Sequence, residues 1–265
     1  MSKVGITTTI RVTDEIMEKA MNISRSLDTD YYPRNKMGIA KLLRRYDLDY
    51  VLIVESDRLT LRGSEDGFYW HPNTAKLKLR ALKRGEIIPM IRAMGISEGD
   101  SLLDCTLGIA GDSIVASSVL GDKGKIVGLE ADKYLSFLTR EGLKNYSEVD
   151  AETKGYMERI EVVNERYENY LKDLDDNSFD VVYMDPMFVN PNEKSSAISS
   201  LSTFADHSPL TMESLDEAKR VARKRVVVKL RYGSEDFVRL DLEEYIGKSR
   251  LGALVFGVFR CNKNS

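Results

Sequence analysis

At 265 residues, with 42% hydrophobic and 31% charged residues, the chain has the composition of a folded globular protein rather than a disordered or fibrous one. A formal net charge of −3, with only 2 cysteines and 2 histidines, argues against a protein that coats nucleic acid non-specifically, a disulfide scaffold or a zinc cluster. No apolar run approaches the ~18–20 residues that span a bilayer and the first residues lack a secretory pattern, so a cytoplasmic location is expected.

Residues 6–12 (ITTTIRV) are β-branched and predict a strand. Thr13-Asp14 then opens a helix in which Ile16, Met17, Ala20, Met21 and Ile23 recur at helical spacing. Tyr31-Tyr32-Pro33-Arg34 breaks that pattern, helical period returns over 37–46, and 50–56 and 58–63 predict two strands meeting in a hairpin at Ser56-Asp57. Residues 1–71 thus read as a small α/β unit, with substrate recognition its expected use. The following NTAKLKLRALKRGEIIPMIRAMG predicts one helix, or two broken near Pro89, leading into a larger domain that makes up 72–265. From Ser101 the pattern is strand 101–105, helix 111–120, strand 125–130, helix 132–146, strands 159–164 and 179–185, helix 211–222, strand 225–230, and strand material over 251–260. Near-continuous apolar strands alternating with helices indicate a doubly wound α/β domain whose mostly parallel sheet is covered on both faces. Cys105 and Cys261 sit in apolar stretches and read as reduced, buried small hydrophobes. His71 and His207 are far apart in sequence and no metal site is expected.

The stretch Asp104-Cys105-Thr106-Leu107-Gly108-Ile109-Ala110-Gly111-Asp112 links the first strand of the larger domain to its helix. Small residues in such a turn let the backbone approach a ligand, and doubly wound sheets bind ligands outside the carboxyl ends of the strands, where strand order reverses. The spacing departs from G-x-G-x-x-G, and there is no phosphate-binding G-x-x-x-x-G-K-[ST] run. Acids flank the loop instead, and carboxylates suit a cationic sulfonium better than a pyrophosphate. Glu130 ends the next strand, where an acid holds ribose hydroxyls. Together these features point to an adenosyl cofactor bordered by Asp104, Thr106, Gly108, Gly111, Asp112, Glu130 and Ala131. The structural alternative is a plain strand-to-helix turn with capping acids.

Strand 179–184 ends in Asp185-Pro186-Met187-Phe188, at the crevice where a catalytic residue belongs. Methylating an amine needs the nitrogen lone pair aimed at the methyl carbon, and a carboxylate that accepts an N–H orients that lone pair and balances the charge developing on nitrogen. Asp185 reads as the substrate orienter, Pro186 as the stiffener of the turn, and Phe188 as a platform on which a base stacks. An Asp-Pro turn opener is the structural alternative. The long polar stretch 189–209 reads as a binding loop, with Lys194, Ser195 and Ser196 as phosphate-contact candidates.

Residues 100–232 resemble the class I S-adenosylmethionine-dependent methyltransferases, and more narrowly the ribosomal RNA small-subunit methyltransferase J family, which methylates the exocyclic N2 of a guanine. DCTLGIAGD, Glu130, VVYMDPMF with NEKSSA after it, and KRVVVK at 224–229 carry the resemblance. It implies a Rossmann-like, seven-stranded, mostly parallel sheet and S-adenosyl-L-methionine as cofactor, bordered by Gly111, Asp112, Glu130 and Asp185. Arg166 and Tyr167 fall at a further cofactor contact, where small hydroxyl residues are more usual. FYWHPNTAKLKLR (68–80) stands where that family has a Gly- and Arg-rich stretch. An RNA substrate and direct methyl transfer, with no metal and no nucleophilic role for Cys105, complete the expectation. The basic stretches 76–86 and 219–231 are expected to grip phosphates, with Arg34, Arg44, Arg45, Lys76, Lys78 and Arg80 as the first phosphate-contact candidates. The same carboxylate geometry serves an amine on adenine, a protein or a small molecule, and a non-catalytic S-adenosylmethionine-binding protein is the reading from another class. No membrane association is expected, and the sequence leaves the oligomeric state open.

Overall fold

The computed structural model describes residues 2–186, 203–204, 208–242 and 244–261. Its first part is a four-stranded sheet in the order β1 (Val4–Thr8), β2 (Tyr50–Val54), β3 (Leu59–Arg62) and β4 (Gly67–Tyr69). β1 and β2 are parallel, and β2, β3 and β4 are antiparallel neighbours. Helix α1 (Asp14–Ser26) is capped by Thr13, whose hydroxyl accepts from Ile16 N–H at 3.3 Å. Helix α2 (Ile39–Tyr46) packs Leu42 and Leu43 on Val51 and Ile53. The predicted strand 6–12 lies two residues nearer the terminus and ends at Thr8: Thr9 Oγ1 donates to Arg11 O, and Ile10 is turned to solvent. Helices α3 (Asn73–Lys83) and α4 (Pro89–Met94) realise the broken alternative, with Pro89 at the first position of the second helix, where its missing N–H costs nothing.

Seven strands build the larger sheet: β5 (Ser101–Asp104), β6 (Lys125–Leu129), β7 (Ile160–Val163), β8 (Phe179–Met184), β9 (Ala222–Arg231), β10 (Glu244–Gly247) and β11 (Leu254–Arg260). Their order is β10-β11-β9-β8-β5-β6-β7; β9 through β7 are parallel, and β11 is antiparallel to both its neighbours. Successive residues face opposite ways. Leu102, Ile126, Val181 and Val227 therefore join one apolar cluster, and Leu103, Val127, Val182 and Val226 the other. Helices α5 (Gly111–Leu120), α6 (Lys133–Asn145) and α7 (Ala151–Glu158) supply Ile114, Leu138 and Met157 to the first. Helices α8 (Tyr167–Lys172) and α9 (Met212–Val221) supply Leu171 and Leu215 to the second, and a short α10 (Glu235–Arg239) packs Phe237 beside them. The doubly wound α/β expectation holds. The first cluster also contains Ile6, Leu52, Leu61, Trp70 and Leu79, so the small sheet and α3 share a core with the large sheet. No helix of the described residues is long and apolar enough to cross a membrane.

Candidate active site: an acid-lined cavity at the strand switch

Strand order reverses between β5 and β8, and the loops leaving their carboxyl ends enclose a cavity of about 360 Å³. Asp104 ends β5 opposite Tyr183 of β8. Its carboxylate accepts from Thr106 N–H at 3.1 Å and from Ser113 Oγ at 2.6 Å. Burial pushes its pKa up to about 7 against those two hydrogen bonds. Thr106 in turn ties the two strand ends together, because its Oγ1 accepts from Asp185 N–H at 2.6 Å. The loop then reverses through left-handed backbone at Gly108 and Ala110, with φ of 53° and 62°. Glu130 closes the next strand and accepts from Gly108 N–H at 3.1 Å and Asp132 N–H at 2.9 Å, while burial raises its pKa to about 7. Each of its oxygens keeps a second lone pair, the capacity that a pair of sugar hydroxyls requires.

The acids on the other side of the cavity form a charge network. Parallel register aligns Met184 with Val228, and the next pair along is Asp185 and Lys229. Lys229 Nζ lies 2.6 Å from Asp185 Oδ2 and 3.6 Å from Asp112 Oδ2. Asp112, in the first turn of α5, also accepts from Tyr183 Oη at 2.7 Å and pairs with Lys78 of α3. Burial pushes Asp112 up, but Lys229 and Lys78 outweigh it and hold the carboxyl below its usual range. At Asp185 burial prevails over Lys229 and its pKa is raised. Lys229 is pushed down by burial and pulled up further by the two carboxylates.

Of the residues expected at the cofactor, Asp104, Thr106, Gly108, Gly111, Asp112, Glu130, Ala131, Tyr167 and Asp185 line the cavity together, with Pro186 beside them. Arg166 is not on its wall: it occupies the N-cap position of α8 and its guanidinium pairs with Glu168 at 3.0 Å. Its neighbour Glu165 takes that place on the lining. Phe188, Lys194, Ser195, Ser196 and His207 lie outside the described residues. Cys105 is a cavity-wall thiol whose pKa burial raises far above its usual value, the opposite of an activated nucleophile. Among the described residues there is no cluster of metal-ligating type.

Sequence reasoning missed Lys229, Tyr183 and Thr74, and it did not place Lys78 on this wall. A lysine at the end of the buried run VVVK in a central strand is itself a signal, since an unpaired ammonium there is costly. Tyr183 shares a face with Asp185 by the two-residue period of the strand. The basic stretch 219–231, expected to grip phosphate, is instead engaged within the fold. Lys219 sits over the Phe259 ring, Arg220 pairs with Glu217 and Asp176, and Arg223 with Asp180. Lys224 pairs with Asp100, Arg225 donates to Ala93 O, and Arg231 to Gly252 O. Arg34 likewise donates to Met37 O and Thr8 O.

The departing stretch 68–80 has a visible task. Trp70 Nε1 donates to Ile109 O of the loop at 3.1 Å, and its indole lies where a Cβ on Gly142 would collide with it at 2.2 Å. Thr74 approaches so closely that a Cβ at Gly111 would stand 2.9 Å from its Oγ1. Among the described residues the cavity wall carries five carboxylates, Asp104, Asp112, Glu130, Glu165 and Asp185, against two ammonium groups, Lys78 and Lys229. That donor set fits a ligand bearing a sulfonium, an ammonium and ribose hydroxyls, and opposes a pyrophosphate.

A mostly parallel seven-stranded sheet with an antiparallel penultimate strand, and an acid-lined cavity at its switch point, define a class I methyltransferase. The sequence family described as "Putative SAM-dependent methyltransferase" matches residues 37–240, and the chain belongs to it. It is an enzyme that uses S-adenosyl-L-methionine as methyl donor. The chain is 40% identical over 256 residues to the uncharacterized protein YpiP of Bacillus subtilis, covering 96% of this chain and 98% of that one. It is 30% identical over 223 residues to ribosomal RNA small subunit methyltransferase J of Acinetobacter baumannii, covering 78% and 76% of the two chains. Its fold matches that of the SAM-dependent methyltransferase NGO1261 from Neisseria gonorrhoeae, with a TM-score of 0.65 at 16% identity over 98% of this chain and 97% of that one.

Proposed function

We propose that the enzyme methylates an exocyclic amine of an RNA base, the N2 of a guanine in ribosomal RNA. The observation that carries the reading is the carboxylate of Asp185 at the end of β8, on the cavity wall, with one oxygen held by Lys229. Oδ2 is engaged by the ammonium, which leaves Oδ1 to accept an N–H from the acceptor amine. That contact fixes the direction of the nitrogen lone pair and offsets the positive charge that grows on nitrogen. Pro186 stiffens the turn that follows, and Phe188 is assigned the stacking role from the sequence. The bound cofactor supplies a methyl group on a sulfonium. Asp104, Thr106, Gly108, Gly111 and Asp112 border its methionine half, Glu130 and Ala131 its ribose, and Tyr167 with Glu165 its adenine side. Arg44, Arg45 and Arg80, which are exposed, are the phosphate contacts of this reading. The name of the Acinetobacter baumannii relative supports ribosomal RNA as the acceptor.

The test is transfer of labelled methyl to unmodified ribosomal RNA, transfer RNA and protein fractions, by the wild type and by Asp185→Ala. Label in ribosomal RNA that disappears with the variant is the expected result. Label confined to transfer RNA would keep an RNA acceptor and discard ribosomal RNA, and label confined to protein would keep the methyltransferase and discard the RNA base.

A further inference from the structure

We infer that Lys78 is the anchor for the α-carboxylate of S-adenosylmethionine, so that the cofactor site is completed by a helix outside the strand-and-helix alternation that forms the rest of it. The inference rests on the proposed placement of the cofactor, ribose at Glu130. That placement directs the adenine towards Glu165 and Tyr167, at the ends of β7 and α8. The amino-acid half is then left on the opposite side, among Asp104, Asp112, Thr74, Lys78, Tyr183 and Lys229.

The cofactor has a single anionic group, and on the described cavity wall only Lys78 and Lys229 are cationic. Lys229 is the more enclosed, its side chain 18% exposed, and its ammonium is shared between Asp185 and Asp112. Lys78 is 35% exposed and reaches the wall from α3, with Asp112 as its one carboxylate partner among the described residues. An ammonium carries three N–H donors, so Lys78 can hold Asp112 and still donate to a ligand carboxylate. Its direction is fixed by the fold. Thr74 and Lys78 are four residues apart and share the face of α3 that meets α5, and Thr74 lies directly against Gly111. The same packing holds the half-exposed Lys78 ammonium against Asp112 on the cavity wall.

The experiment measures binding by calorimetry for wild type, Lys78→Ala and Lys78→Arg. The probes are S-adenosylmethionine, S-adenosylhomocysteine, decarboxylated S-adenosylmethionine, which lacks only the carboxylate, and 5′-methylthioadenosine, which lacks the whole amino-acid tail. Lys78→Ala is expected to weaken the two carboxylate-bearing ligands by about 10- to 100-fold, the worth of a charge-assisted hydrogen bond. It should leave the other two within about 2-fold, well below that worth, and Lys78→Arg should restore most of the loss. Equal weakening of all four ligands, or an unchanged cofactor affinity with weakened RNA binding, overturns the inference. Glu130→Ala with 5′-methylthioadenosine tests the placement separately. Lost affinity there with no carboxylate-specific effect at Lys78 overturns the inference alone, whereas unchanged affinity overturns the placement and the inference together.

Discussion

Residues 76–86 and 219–231 carry comparable runs of lysine and arginine, yet the fold treats them differently. The second run forms the last turn of α9 and the central strand β9, and its cations are drawn to acids, carbonyls and an aromatic ring of neighbouring elements. The first run lies on α3, half of whose surface meets solvent, and its cations divide by face. Lys78 turns inward to Asp112, Lys76 donates to Glu148 O, and Arg80 is exposed. Charge in a sequence therefore reports neither partner nor purpose until the strand register and helix face are known.

That contrast is sharpened most by the carboxylate at its centre. Asp185→Ala should lower kcat/KM by roughly 100- to 1000-fold with cofactor affinity little changed, as for loss of one preorganised group at a reacting centre. Steady-state kinetics beside calorimetry checks this. Lys229→Met tests whether a β9 cation serves the site as well as the fold. It leaves Asp185 and Asp112 without their shared counter-ion, and should cost up to roughly 3 kcal/mol of stability in denaturant unfolding. Asp185 loses the charge that opposes its raised pKa, so the acid limb of kcat/KM should move to higher pH, and Lys229→Arg should return it.

A smaller effect concerns pH. Asp104 and Glu130 have folded pKa values of about 7, above their unfolded values, so the native state binds more protons than the unfolded chain between those limits. Stability of the ligand-free protein should therefore fall as pH rises from about 5 to 8, by a few degrees in Tm, and Asp104→Asn should flatten the slope. A thermal melt that rises over that interval would remove the account of these two acids. The smallest effects separate the exposed arginines of α2 and α3 from the second basic run. Arg44→Ala, Arg45→Ala or Arg80→Ala should reduce RNA affinity several-fold and lower the salt slope by about 1 each, without altering the melt. Arg223→Ala should do the reverse, leaving RNA binding alone while costing about 1 kcal/mol or less by exposing Asp180.

Much of the frame was legible because its signals are local. The strands of the large sheet are apolar runs such as KIVGL and FDVVYM, and Thr13, Asp132 and Thr211 cap α1, α6 and α9 through their own side chains. Asp104, Glu130 and Asp185 were visible as acids at strand ends, which a doubly wound topology brings to one place. Short or weakly patterned elements escaped. β4 has three residues, β10 is half-buried at an edge, and α7 buries only Thr153 and Met157. The Asp185–Lys229 pair also escaped, since it depends on how β8 and β9 align across forty-four residues of chain. The inward turn of Trp70, Thr74 and Lys78 needs the packing of α3 on α5, which no local pattern encodes.

The most direct test of the central claim is nucleoside analysis of ribosomal RNA methylated in vitro by the wild type and by Asp185→Asn, with S-adenosylmethionine affinity measured on both proteins. The account predicts label in N2-methylguanosine with the wild type, and loss of that label in the variant at nearly unchanged cofactor affinity. Label in a ribose methyl group, or an undiminished rate with Asp185→Asn, would contradict it.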